Sequence, residues 1–147
     1  MIYQYKFEKI LTIKEKEKND ALSKYNEALK KFEDAAEKLY KLLRKKEDLQ
    51  AFQQEKLHKG LTVQEIRHNQ LFMDNLEKII EHCQKSVIDA RYRMNLQQEK
   101  LMERNIEVKK YQKIRERDFG RFLEAIKEAE NKNMDEISIQ QFLSKEN

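Results

Sequence analysis

No proline occurs in the chain's 147 residues, and glycine stands only at Gly60 and Gly120. Average usage would supply roughly seven prolines and ten glycines at this length. Those residues build tight turns, so a chain almost without them doubles back rarely. That disfavours β-sandwiches, βαβ folds and active sites built from loops. Long helices remain. Charged residues reach 39 %, but 31 Lys+Arg nearly cancel 27 Asp+Glu. The apolar residues recur at a helical period, so the composition does not describe a disordered chain.

Residues 56–66, KLHKGLTVQEI, hold the one clear break. Gly60 suits the left-handed position past a helix C-terminus, which a Cβ would crowd. Lys56, His58 and Lys59 bring positive charge to the carbonyl end of the preceding helix. Thr62 and Glu65 form a T-x-x-E capping box, in which each side chain accepts from the other's backbone N–H. Leu61 and Ile66 hold the accompanying hydrophobic-staple positions. These signals predict a single coiled-coil domain over 1–147: arm one over about 3–59, a turn at 60–62, arm two over about 63–130 and a tail at 131–147.

Arm two carries a heptad seam from Ile66 through Met73, Leu76, Ile80, Cys83, Val87, Ala90, Met94, Leu101, Val108, Tyr111 and Phe122 to Ala125 and Ala129. Arm one offers Leu22, Tyr25, Leu29, Phe32, Ala36, Leu39 and Leu43, then polar Lys46, Gln50 and Gln53, then Leu57. Spacing of this kind, sustained over many heptads, indicates a coiled coil. Antiparallel pairing sets Leu57 opposite Ile66, Leu43 opposite Ile80, Leu29 opposite Met94 and Leu22 opposite Leu101. Each pair of residue numbers adds to 123, which places the fold-back where the capping chemistry places it. The expected fold is all-α: a long two-helix antiparallel coiled-coil hairpin with a short C-terminal helical tail. At about 1.5 Å per residue its arms would run roughly 80–90 Å.

The same register sets Lys18 opposite Arg104 and Glu8 opposite Arg115 at the open end, a polar seam. Yet Tyr3, Tyr5, Phe7, Ile10, Leu11 and Ile13 crowd arm one there, and Ile114, Phe119, Phe122, Leu123 and Ile126 crowd arm two. One partner helix covers less apolar surface than this. Asn131–Asn133 predicts a helix break before a segment at 135–143, capped by Asp135 and carrying Ile137, Ile139, Phe142 and Leu143. Folded back, that segment would bury Phe7, Ile10 and Leu11. Left free, the open end suits a partner.

Catalytic constellations are missing from the sequence. There is no Gly-rich phosphate loop, nucleophile motif or metal-type Cys/His spacing. His58, His68 and His82 are dispersed, while Glu81, His82 and Cys83 point about 100° apart on a helix. The reading is a non-enzyme with no cofactor and no metal. Cys83 has no second cysteine to pair with, no apolar run approaches the roughly 18 residues of a membrane span, and the start lacks a secretory signal. These features lead to the expectation of a soluble protein of a reducing cytoplasm without direct membrane insertion.

Charge is uneven along the chain. Segment 104–121 holds seven basic side chains against three acidic ones, an excess that equals the whole chain's net charge of +4. It reads as a solvated face laced with ion pairs, as an electropositive tip meeting an acidic surface, or as a nucleic-acid contact. The interspersed glutamates weigh against nucleic acid. A self-associating scaffold that uses the same seam between chains is a further alternative. One more row, Phe72, Leu76, Ile79 and Cys83, recurs at i, i+4, i+7 and i+11. Leu76 and Cys83 belong to the seam, so Phe72 and Ile79 flank it and suit a partner helix or an extended peptide.

Several short stretches carry a resemblance: Tyr5-Lys6-Phe7-Glu8-Lys9-Ile10-Leu11, the single central turn, Arg117-Asp118-Phe119, and Glu130-Asn131-Lys132-Asn133-Met134-Asp135-Glu136. With the chain length, they resemble the FliJ family, the small coiled-coil component of the bacterial flagellar type III export apparatus. The resemblance implies a role in flagellum biogenesis and protein export, and so in motility and chemotaxis. It implies an antiparallel coiled coil similar to the rotor shaft of rotary ATPases, with its open end in the centre of the export ATPase hexamer, promoting ring assembly. It further implies coupling to the cytoplasmic platform of the export gate, escort of export chaperones, and peripheral association with the cytoplasmic face of the membrane at the flagellar base. Carried onto this sequence, the ATPase-ring contact comprises Phe7, Ile10, Leu11, Arg115, Arg117, Phe119, Arg121 and Phe122. The gate contact comprises Phe72, Leu76, Ile79 and Cys83, of which Ile79 and Cys83 depart from the family in residue type.

Overall fold

The computed structural model describes residues 2–146; Met1 and Asn147, the outermost positions of the expected domain and tail, lie outside it. Helix α1 spans Glu8–Lys59 and helix α2 spans Val63–Glu146. They pack against each other with no strand among the described residues. The fold is therefore the expected helical hairpin, and its turn forms as the residue types require. Gly60 adopts φ 95°, and its N–H donates to the Leu57 carbonyl at 3.4 Å. The Glu65 N–H donates to Thr62 Oγ1 at 3.2 Å and the Thr62 N–H to Glu65 Oε2 at 3.4 Å, closing the capping box.

Two compact units divide the chain. One is Asp20–Met102, and the other joins the residues before Asp20 to those after Met102. In the Asp20–Met102 unit the buried side chains are Ala21, Met73, Leu76, Ile80 and Cys83. The Lys46 ammonium lies 3.5 Å from the Glu77 carboxylate, in the register expected of the antiparallel pair. Val87, Ala90, Met94, Gln97 and Leu101 continue the seam of α2, half-buried. In the terminal unit the core is Tyr5, Leu11 and Val108, with Tyr3, Phe7, Tyr111 and Ile114 packed against it.

Three expectations need correction. The seam of α1 runs through Leu42 and Leu49 rather than Leu43 and Gln50, while Leu22 and Leu57 are exposed. Leucines sit at both 42 and 43, and the shifted phase buries Leu49 instead of Gln50, which lowers the cost of desolvation. Helix α1 begins at Glu8 rather than near residue 3, because the preceding residues form a non-helical strap. Finally, α2 passes through Asn131–Asn133 and Asp135 without a break. Asparagine in a helix costs only about 0.7 kcal/mol relative to alanine, too little to stop a helix with no Gly or Pro nearby. Met134, Ile137, Ile139, Phe142 and Leu143 are consequently exposed, and no tail folds back over Phe7 or Leu11.

Candidate functional site at the open end

The terminal unit owes its structure to a change of period. Tyr3, Tyr5 and Phe7 alternate with Gln4 and Lys6, the two-residue period of an extended segment. Their side chains are accordingly buried or half-buried, while Gln4 and Lys6 are exposed. From Glu8 the helical period takes over. Tyr5 is 7 % exposed, and its hydroxyl donates to the Tyr111 carbonyl at 2.8 Å. Its ring meets Phe7 edge-on at 5.9 Å, and Phe7 meets Tyr111 at 6.3 Å. Beneath them Leu11 and Val108 are each 1 % exposed.

Further out, the Tyr3 hydroxyl donates to Asp118 Oδ2 at 3.0 Å. Its ring packs on Phe119 at 5.0 Å and Phe122 at 5.2 Å. The strap thus absorbs much of the apolar surplus that the helices alone leave uncovered. The alternation at residues 3–7 was the signal for it. Ion pairs join the arms at Arg115–Glu8 (3.8 Å), Arg104–Glu17 (3.4 Å) and Lys14–Glu107 (3.6 Å). All are partly exposed, so each contributes at most about 1 kcal/mol, and together they act mainly on register.

Burial pushes the Tyr3 phenol above its ordinary value of 10.0, with the hydrogen bond and charge of Asp118 adding to the effect and Arg115 opposing it. Tyr5 is raised as well, first by burial and then by the Asp118 charge. A raised folded-state pKa means that the neutral phenols stabilise the fold fully below the unfolded value, and that this contribution is lost as pH rises through the folded one. The strap is therefore expected to stay docked at neutral pH and to loosen only above about pH 10. A tyrosine absorbance titration checks this. Tyr3→Phe should delete the part that rests on the Tyr3–Asp118 hydrogen bond and leave the rise at Tyr5.

The proposed contact residues fall into three sets. Phe7 and Leu11 belong to the cluster; Leu11 is buried and supports the surface without presenting itself. Phe119 and Phe122 lie under Tyr3, with Phe119 42 % exposed, while Ile10 is exposed on α1. Arg117 and Arg121 lie one helical turn apart, and at about 100° per residue they stand roughly 120–160° round the helix from Arg115 and Phe119. The ion pairs of the open end leave them, with Lys109, Lys110 and Lys113, without an acidic partner among the described residues. The open end therefore presents an apolar side and a cationic side.

In the Asp20–Met102 unit the row at 72–83 divides as the seam requires. Leu76 and Cys83 are buried, while Phe72 and Ile79 are 44 % and 49 % exposed on one face. The Lys45 ammonium stands 5.7 Å from the centre of the Phe72 ring. Replacing Phe72 and Ile79 together by alanine should lower stability by about 1 kcal/mol or less, whereas Leu76→Ala should cost about 2–5 kcal/mol. Urea unfolding separates the two cases.

No group of three or more His, Cys, Asp or Glu side chains among the described residues is placed to hold a metal. The three histidines are exposed and far apart in sequence. No helix among the described residues is long and apolar enough to cross a membrane. The fold defines a helical-hairpin protein. The sequence matches the family described as "Flagellar FliJ protein" over residues 3–147. It is also 50 % identical over 143 residues to a flagellar FliJ protein from Bacillus subtilis (strain 168), covering 97 % of each chain. No solved structure matches it. The chain belongs to the FliJ family and is a component of flagellar protein export.

Proposed function

We propose that the open end is the surface through which this chain engages the export ATPase ring. The observation that carries this reading is the pairing, on one compact unit, of an aromatic side built by Tyr3, Phe7, Phe119 and Phe122 with a cationic side built by Arg117 and Arg121. Apolar surface supplies affinity, while unpaired cations steer an acidic partner and set orientation. Ile10 and Arg115 extend the contact, and Leu11 holds it from beneath. The chain promotes ring assembly by binding several subunits at once, with no chemistry of its own. Phe72 and Ile79 form a second contact, to the gate's cytoplasmic platform, with Leu76 and Cys83 fixing the helix behind them. Export chaperones are escorted on the same molecule, and these contacts hold it peripherally at the membrane.

A photo-crosslinking amino acid at Phe119 tests the primary contact, with one at exposed Tyr92 in the other unit as control. Adducts with the export ATPase are expected from position 119 and not from 92. The reverse distribution would overturn the assignment.

A further inference from the structure

Beyond Arg115, α2 presents an apolar face that extends past the proposed ring contact. Phe119, Leu123, Ile126, Glu130, Met134 and Ile137 recur at 4-3-4-4-3 spacing. That is eighteen residues in five turns, so at about 3.6 residues per turn they keep within an arc of about 80° on a straight helix. Phe119, Leu123, Met134 and Ile137 are 42 %, 50 %, 69 % and 53 % exposed. A helical segment without tertiary packing is marginal in water, so an occupant of this face adds stability.

The two ends of the face are palindromic. Mirrored about Glu128, Phe119 falls on Ile137 and Phe122, at the edge of the face, on Met134, while at the centre Leu123 falls on Asn133 and Ile126 on Glu130. A two-fold interface requires such a self-complementary patch. Charge selects the direction of pairing. Residues 115–121 carry Arg115, Arg117 and Arg121 against Glu116 and Asp118, while 135–141, the stretch the mirror sets opposite, carry Asp135 and Glu136 and no basic side chain. Antiparallel pairing lays each net-basic stretch over the net-acidic stretch of the other copy. Parallel pairing would stack like on like.

We infer that this face of α2 pairs antiparallel with the same face of a second copy of the chain. The dimer covers Phe119 and Phe122 and excludes any other partner of that surface. It does not rest on the ATPase contact, because it is measured on the protein alone.

Sedimentation velocity of the full chain, from micromolar to near-millimolar concentration and at low and high salt, tests it. The expected result is a monomer–dimer equilibrium that shifts toward monomer as salt rises. Leu123→Asp with Ile137→Asp should weaken the dimer at least about tenfold. A milder pair leaves the rest of the face unchanged: in a Cys83→Ala background, singly substituted Leu123→Cys and Asn133→Cys proteins are mixed and oxidised. The mixed disulfide should form faster than either symmetric one. A chain monomeric at every concentration, a dimer indifferent to the two aspartates, or preferential Leu123→Cys self-linkage would overturn the inference.

Discussion

Val108→Asp is expected to unfold the open end. Val108 is 1 % exposed against Leu11 and Tyr5, and no cationic side chain belongs to that cluster. A carboxylate there either loses its hydration without a partner or opens the cluster to water. Either outcome costs about 4 kcal/mol or more. Leu11→Ala, which only removes volume, should cost about 2–5 kcal/mol. Ile106→Asp is the matched control: two residues away but 63 % exposed, it should stay within about 0.5 kcal/mol. Chemical denaturation gives the totals. Hydrogen exchange should show protection lost first in residues 2–19 and in α2 beyond residue 103. The Asp20–Met102 unit keeps its own buried side chains, Met73, Leu76, Ile80 and Cys83.

Reversing three charges at once should have the largest functional effect. Arg117→Glu and Arg121→Glu reverse two of the five unpaired cations of the cationic side and Arg115→Glu reverses the half-exposed cation near Phe119, so that segment 104–121 passes from +4 to −2 while the aromatic side stays in place. Arg115 surrenders only a half-exposed pair with Glu8 at 3.8 Å, worth at most about 1 kcal/mol, so helicity should be unchanged. Stimulation of the export ATPase should be abolished, since a contact steered by charge becomes repulsive along its length. The corresponding triple lysine substitution should retain most of the stimulation. In the unsubstituted protein, stimulation should decline with salt. Full stimulation by the glutamate variant would mean that the cationic side does not meet the ring.

Where the sequence was legible, the reason is redundancy. At the turn, Gly60, the basic last turn and the Thr62–Glu65 box each demand the same conformation, and each is found. Along α2 from Met73 to Leu101 the seam positions are apolar at every step but Gln97, while Ile79 and Ile88 beside it do not continue into a row of that length. Arm one has adjacent candidates at Ala21–Leu22, Leu42–Leu43 and Leu49–Gln50, and there the facing helix decides the phase. The strap was hidden by brevity: three alternating aromatics are too few to outweigh the helical pattern that follows them. At residues 131 and 133 two asparagines suggest a break, but their small helix cost is met by the residues on either side and the tail stays continuous. The contact residues were legible as types. Their division into an aromatic side, a cationic side and a buried support came only from side-chain placement.

The fold-back itself is open to a direct distance measurement. With Cys83→Ala removing the native thiol, nitroxide labels at Asn26→Cys and Asn95→Cys, both exposed in the Asp20–Met102 unit, report the spacing of the two helices. The labelled chain is diluted into unlabelled protein so that only intramolecular pairs contribute. An antiparallel pair predicts a short separation, about the 8–10 Å between packed helix axes plus the reach of the label arms. A separation on the order of 100 Å, that of one uninterrupted helix, would contradict the doubled-back structure and with it an open end built from both arms.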